Sequence, residues 1–305
     1  MFIDATQLKP SRPKKKSRRL KTKRKIIFYS TISLLIVLLF SFCLFIAHTK
    51  SLAIKDIQIE GIKTINKEEI LQKVRESING KYYYLFPKRN TIIYPKKIIE
   101  GKISLNFPQI KEFKIKRDGL NALNISLTER VPDGIWCVNE KSYPSNTATT
   151  TSPASLKNKN LPSGACYFLD DTGFIYERAP NFTGSVYFRY YGQLATTTPH
   201  LKTNKTYPYA RVYIPEEKYK ITRAFAKTIK ELDFEVEAIY KINEEDLSLV
   251  LKSGGNIYIS QKQNLQEAFL NLETVVFSEE FKSKTHRPLN YIDLRFGKKV
   301  YFDFF

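Results

Sequence analysis

Ile26 to Ala47 (IIFYSTISLLIVLLFSFCLFIA) runs 22 residues without a charged side chain, and this stretch constrains the chain more than any other feature. At about 1.5 Å per residue a helix of that length reaches about 33 Å, against a hydrocarbon core of about 30 Å. A lone segment crosses a bilayer only as a helix, because each backbone N–H and C=O must find its partner within the segment. No later stretch of the chain approaches this length without charges. The sequence therefore predicts a transmembrane helix at residues 26–48, with everything from residue 49 onward on one side of it. A cleaved signal peptide also starts basic, and Ser51-Leu52-Ala53 offers a small-x-small cleavage site. Its apolar core is about 7–15 residues, however, so the longer run here favours an uncleaved anchor.

Charge gives the anchor a direction. Residues 1–25 form a basic tail, with Lys9, Arg12, Lys14, Lys15, Lys16, Arg18, Arg19, Lys21, Lys23, Arg24 and Lys25 against the single acid Asp4. Beyond the anchor come Lys50, Lys55, Lys63 and Lys67, partly offset by Asp56 and Glu60. The basic flank stays in the cytoplasm, which predicts a type II protein of the cytoplasmic membrane with its bulk outside. Half of the formal charge of +20 sits in the tail. A short basic run beside a membrane helix, without aromatics or a groove-reading motif, contacts anionic membrane lipid rather than nucleic acid.

The exterior reads as an α+β assembly in two modules separated by a polar insert. The first, residues 52–138, opens with a strand alternating over Ile54, Ile57 and Ile59 and ending at Gly61. Asn66 with Glu69 has capping-box spacing, and Ile70, Leu71, Val74 and Ile78 line the face of the helix that follows. After the aromatic connector Tyr82-Tyr83-Tyr84-Leu85-Phe86, a second helix is expected from Lys96 to Leu105. Two strands follow, one carrying Ile110, Phe113 and Ile115, the other Leu123, Ile125 and Leu127, joined at Asp118-Gly119.

Residues 139–165 are rich in Ser, Thr, Pro and Asn. Such a segment cannot offset its ordering entropy by burial and is expected to be flexible. A second polar stretch occupies residues 192–206. The remaining module, residues 166–305, is expected to be a β-rich domain with two helices. Strands are expected at Tyr167–Leu169, Phe174–Tyr176, Phe234–Ile242, Leu247–Leu251 and Asn256–Ser260, and in a closing pair over residues 289–296 and 299–304. A helix starting at Pro215 and another carrying Leu265, Phe269, Leu272 and Val276 complete the module.

No constellation for catalysis is visible: no nucleophile beside a base, no metal cluster, no phosphate-cradling loop. Asp170-Asp171 precedes Thr172-Gly173 and reads as a turn, as do Glu244-Glu245-Asp246 and Gly254-Gly255. His48, His200 and His286 lie far apart, so neither a metal site nor a cofactor is expected. Cys137 and Cys166 bracket the polar insert. The simpler expectation is two buried thiols, with a bridge as the alternative that an oxidising exterior allows. The closing strand Val300-Tyr301-Phe302-Asp303-Phe304-Phe305 is aromatic and uncovered by any following segment, which makes it a candidate edge for strand addition. Arg295 could supply a charge-assisted hydrogen bond to a partner. Alternatively, Phe302 and Phe304 face the core and Arg295 is only solvated.

Several segments in order resemble one family. Phe107-Pro108-Gln109-Ile110, Lys116-Arg117, Leu123-x-Ile125-x-Leu127 and Thr128-Glu129-Arg130-x-Pro132 resemble the POTRA domain of the FtsQ/DivIB bacterial cell-division proteins. Phe168-Leu-Asp170-x-x-Gly173-x-Ile175-Tyr176 is similar to the start of that family's β domain, and Tyr291-Ile-Asp-Leu-Arg295-Phe296 to its Tyr-Val-Asp-Leu-Arg signature. The inserts at 142–160 and 192–206 depart from the family pattern.

The resemblance implies a non-enzymatic divisome scaffold at the septum. It would link single-pass partners of the FtsB/DivIC and FtsL types and act indirectly on the FtsW/FtsI septal peptidoglycan synthase. It also implies that Tyr291, Arg295, Phe296, Val300, Tyr301 and Phe302 hold the FtsB-type partner. The rival reading, a POTRA-type polypeptide transport or envelope assembly factor, lacks repeated POTRA units and the ten-residue alternation of a barrel.

Overall fold

The computed structural model describes residues 16–138, 164–182, 186–195 and 208–305. The expectations for the first fifteen residues, for most of the 139–165 insert and for most of the 192–206 stretch lie outside the described residues. What is described is a mixed α/β chain: one long N-terminal helix followed by a large β-rich sheet. It divides into two compact units, one of Met1–Gln58, Arg75–Lys96 and Ile115–Asn124, the other of Ile59–Val74, Lys97–Lys114 and Ile125–Phe305.

Helix α1 (Lys16–Ala47) is 32 residues long, about 48 Å at helical rise. Its portion Lys23–Ala47 is long and apolar enough to cross a membrane. Leu34, Leu35, Leu38 and Phe42 are all more than half exposed, as suits a helix whose apolar surroundings are not its own protein.

Strand β1 (Asp56–Glu60) leads into α2 (Lys67–Ile78). Asn66 caps α2 by accepting the Glu68 N–H at 2.9 Å, and Ile70, Val74 and Ile78 are buried along its inner face. The aromatic connector is itself a small hairpin, β2 (Lys81–Tyr82) paired antiparallel with β3 (Phe86–Pro87). Then come α3 (Lys96–Asn106), which buries Ile99 and Ile103, β4 (Ile110–Asp118) and β5 (Ala122–Glu129). Strands β1, β5 and β4 form a three-stranded sheet in that order.

The Thr-Glu-Arg-x-Pro segment that ends β5 acts as two clasps. The Glu129 carboxylate accepts the backbone N–H groups of Lys63, Thr64 and Ile65 at 2.6, 2.9 and 3.2 Å, and the Thr64 hydroxyl at 2.7 Å. Burial alone would push this carboxyl up, but the hydrogen bonds together outweigh it and hold Glu129 below its ordinary value. Arg130 pairs with Asp170, donates from Nε to Pro108 O at 3.0 Å and lies 4.0 Å from the centre of the Phe174 ring.

The large sheet has ten strands in the order β10-β8-β7-β6-β9-β11-β12-β13-β14-β15. Their ranges are β6 (Gly134–Cys137), β7 (Cys166–Leu169), β8 (Phe174–Arg178), β9 (Arg189–Gly192), β10 (Arg211–Val212), β11 (Val236–Lys241), β12 (Asp246–Leu251), β13 (Asn256–Ser260), β14 (Leu289–Phe296) and β15 (Lys299–Phe304). Helices α4 (Glu216–Thr228), α5 (Leu265–Val276) and α6 (Glu279–Lys282) accompany it. Asn264 caps α5 by accepting the Gln266 N–H, and α5 packs against α4, β14 and β15. The core they enclose includes Tyr190, Tyr213, Tyr219, Ile239, Leu249, Ile257, Leu272 and Ile292. The Tyr213 hydroxyl, fully enclosed, donates to Tyr191 O at 2.9 Å, so this buried polar group is satisfied. Its burial raises the phenol well above its ordinary value.

Two features differ from the sequence reading. Strand β9 lies near the middle of the sheet, parallel to both β6 and β11, in a region for which the sequence gives no element. The expectation of two free buried thiols is also overturned, since Cys137 and Cys166 form a disulfide. The reason is register: β6 and β7 pair antiparallel with Cys137 directly opposite Cys166, which places their Cα atoms 4.0 Å apart.

Candidate partner-binding edge

The closing hairpin is built by alternation on two neighbouring strands. Ile257 and Ile259 of β13 and Ile292 and Leu294 of β14 point into the core, which sends Tyr258, Tyr291, Asp293 and Arg295 to the opposite face. Parallel pairing sets Tyr258 beside Asp293, and antiparallel pairing sets Asp293 beside Tyr301. Gly255 permits the approach of the preceding turn: a Cβ there would lie 2.6 Å from Leu289 O, and its φ of +81° is open to glycine. Helix α5 ties down the turn between β14 and β15 through Asn271, which donates to Gly297 O at 2.9 Å.

Arg295 is not a free cation. Its guanidinium donates to Asp293 from Nε at 2.9 Å and from Nη2 at 2.6 Å, and to Asp246 from Nη1 at 3.1 Å. The bonds to Asp293 raise it further above its already high ordinary value, so it stays charged. Its flat face lies 5.2 Å from the Tyr258 ring centre and 5.8 Å from that of Phe296, within cation–π range. Arg295 thus serves as the internal pin of an aromatic patch. Tyr258 and Tyr291 lie with ring centres 6.1 Å apart, Phe296 and Tyr301 at 5.2 Å edge to face. Phe296 is 56 % exposed and Tyr301 49 % exposed, although both are large and apolar in their bulk.

The six residues named from sequence therefore fall into two groups. Tyr291, Arg295, Phe296 and Tyr301 are brought together beside the outer face of the closing hairpin. Val300 and Phe302 point the other way and pack on the core, with Phe302 5.2 Å from the Phe281 ring, so toward a partner they offer backbone only. Tyr258, Asp246 and Asp293 complete the patch without having been named as site residues. The outward position of Tyr258 between two buried isoleucines was visible in the sequence. Its nearness to Tyr291 was not, because β13 and β14 are parallel and separated by α5 and α6.

Strand β15 ends the sheet order, so one of its sides has no neighbouring strand among the described residues. Such an edge can take an added strand through its main chain, with flanking side chains giving specificity. No group of three His, Cys, Asp or Glu side chains that could hold a metal occurs among the described residues. No family model matches the sequence, and no curated protein matches it either. The site must be read from its own chemistry.

Proposed function

We propose that this chain is a single-pass, non-catalytic scaffold of the FtsQ/DivIB kind. Its exterior would bind the extracytoplasmic segment of an FtsB/DivIC-type partner, with FtsL-type partners alongside, at the division septum. The observation that carries the reading is the six-residue terminal edge strand β15 with the exposed aromatics Phe296 and Tyr301 beside it, pinned by Arg295. An exposed aromatic edge risks aggregation unless a partner covers it. Further support comes from the order of elements after α1, in which a strand, two helices and two strands form a β1-β5-β4 sheet, as a POTRA module requires. The disulfide suits an oxidising compartment and so supports placing the bulk outside the cytoplasm.

Photocrosslinkers at Phe296 and Tyr301 in dividing cells test the reading, with Glu235, exposed just before the central strand β11, as the comparison position. Capture of a small single-pass protein of the FtsB type from the first two positions and not from the third is the expected result. Recovery of unfolded polypeptide substrates in place of that protein would favour a transport or assembly factor. Activity of the purified chain on peptidoglycan would overturn the scaffold reading.

A further inference from the structure

The β2–β3 hairpin sits against the apolar helix. The Phe86 ring lies 6.1 Å from the Phe40 ring of α1, edge to face, seven residues before the helix ends at Ala47. At helical rise that is about 10 Å in from the helix end. Just past the hairpin, Asn90 donates from Nδ2 to Ala47 O at 3.1 Å, and the Thr91 N–H donates to Leu52 O at 2.9 Å. The hairpin and the residues just past it are therefore tied to α1 and to the segment that follows it, within one compact unit.

Its tip is unusual chemically. Tyr83 and Tyr84 occupy the two central turn positions, closed by the Leu85 N–H donating to Tyr82 O at 2.9 Å. Both have positive φ, 46° and 62°, where Asn and Gly are the ordinary occupants. Both are almost fully exposed, at 89 % and 94 %, and Leu85 and Ile92 nearby are about half exposed. Two bulky aromatics in a disfavoured backbone region gain nothing from water that Asn-Gly would not gain better. They gain a great deal from the membrane–water interface, where an amphipathic ring keeps its hydroxyl in the headgroups and its body against the acyl chains. Lys81 is exposed at the base of the hairpin, and Lys88 lies 5.5 Å over the Tyr82 ring, so cations flank the aromatics, as suits contact with anionic phosphates.

We propose that the β2–β3 hairpin is a second membrane contact, seating Tyr83 and Tyr84 in the phospholipid headgroup layer around the outer end of α1. This rests on the reading of α1 as a membrane span, and continuity with that apolar helix is what identifies bilayer lipid as the occupant.

The test uses the full chain in phosphatidylglycerol and phosphatidylethanolamine vesicles. Separate Tyr83→Trp and Tyr84→Trp variants are read against the single native tryptophan, Trp136, which is buried and supplies a constant background. Phe40→Trp, read with lipids brominated along the acyl chain, reports on α1. The expected result is blue-shifted emission from both hairpin positions and about a twofold or greater loss of intensity with lipids brominated near the headgroup. Water-like emission without quenching, while Phe40→Trp is quenched, overturns the hairpin contact and leaves the span standing. Blue-shifted emission without quenching places the tip against protein instead, and also overturns it. Absence of quenching at Phe40→Trp overturns the span and the proposal together.

Discussion

Asp170 is wholly buried and accepts hydrogen bonds from the Thr172 N–H at 2.9 Å and the Phe174 N–H at 3.1 Å, with Arg130 as its cation. In the sequence it reads as a turn residue, which is correct as far as local chemistry goes. Its electrostatic role appears only when Arg130, forty residues earlier, is folded onto it. Arg130→Ala removes the cation from a buried carboxylate and is expected to cost about 3–5 kcal/mol, measured by urea unfolding. Arg130→Lys should recover only part of this, since an ammonium has neither the planar face over Phe174 nor the second fixed donor to Pro108. Glu129 makes a pH prediction. Its folded carboxyl titrates below the ordinary value of 4.5, so its contribution is fully present above that pH. The contribution is lost as pH falls through the lower, folded value. Glu129→Gln should lower stability near neutrality by about 1 kcal/mol, modest because the group is largely solvated. That gap to the native chain should close as acid is added, as urea midpoints followed from pH 7 downward would report.

Among the elements, the helices and local strand pairs were legible in the sequence because their signals are short-range. The Asn66 cap, the α5 stripe through Leu265 and Leu272 and the Asp170–Gly173 turn each need only a few neighbouring residues. Strand β9 was not legible: Arg189–Gly192 is four residues long and is held by parallel partners far away in the chain. The connector Tyr82–Phe86 hid a hairpin because its turn positions carry tyrosines where Asn and Gly usually signal one. The candidate site was half legible for the same reason, the exposed aromatics of the closing strand being plain while the pinning of Arg295 by Asp246 depends on contact between distant strands. Two predictions follow from elements. Phe296→Ala and Tyr301→Ala should each weaken capture of the partner by about tenfold or more while leaving the unfolding midpoint nearly unchanged, because both rings are largely exposed. Reducing the Cys137–Cys166 bridge, which closes a loop of sequence separation 29, should lower stability by about 2–4 kcal/mol, seen as a drop in urea midpoint on adding reductant.

For the chain as a unit, the orientation proposed above, with the basic tail in the cytoplasm and the bulk outside, makes a prediction of its own. Protease added to intact spheroplasts is expected to digest the region beyond α1 and spare the tail; digestion of the tail alone would reverse the assignment. The ten-stranded sheet has a further consequence. One end is β15, six residues long, and the other is β10, two residues long. Stacking this sheet end to end needs two competent ends per copy, and of its two ends among the described residues only β15 has the length to serve. Strand addition to the ten-stranded sheet can therefore proceed at one end, giving either a one-to-one heterocomplex or a closed two-fold pair of β15 strands. The two compete for the same edge, so self-association through β15 and partner capture there are mutually exclusive, and end-to-end stacking of the ten-stranded sheet lacks its second end.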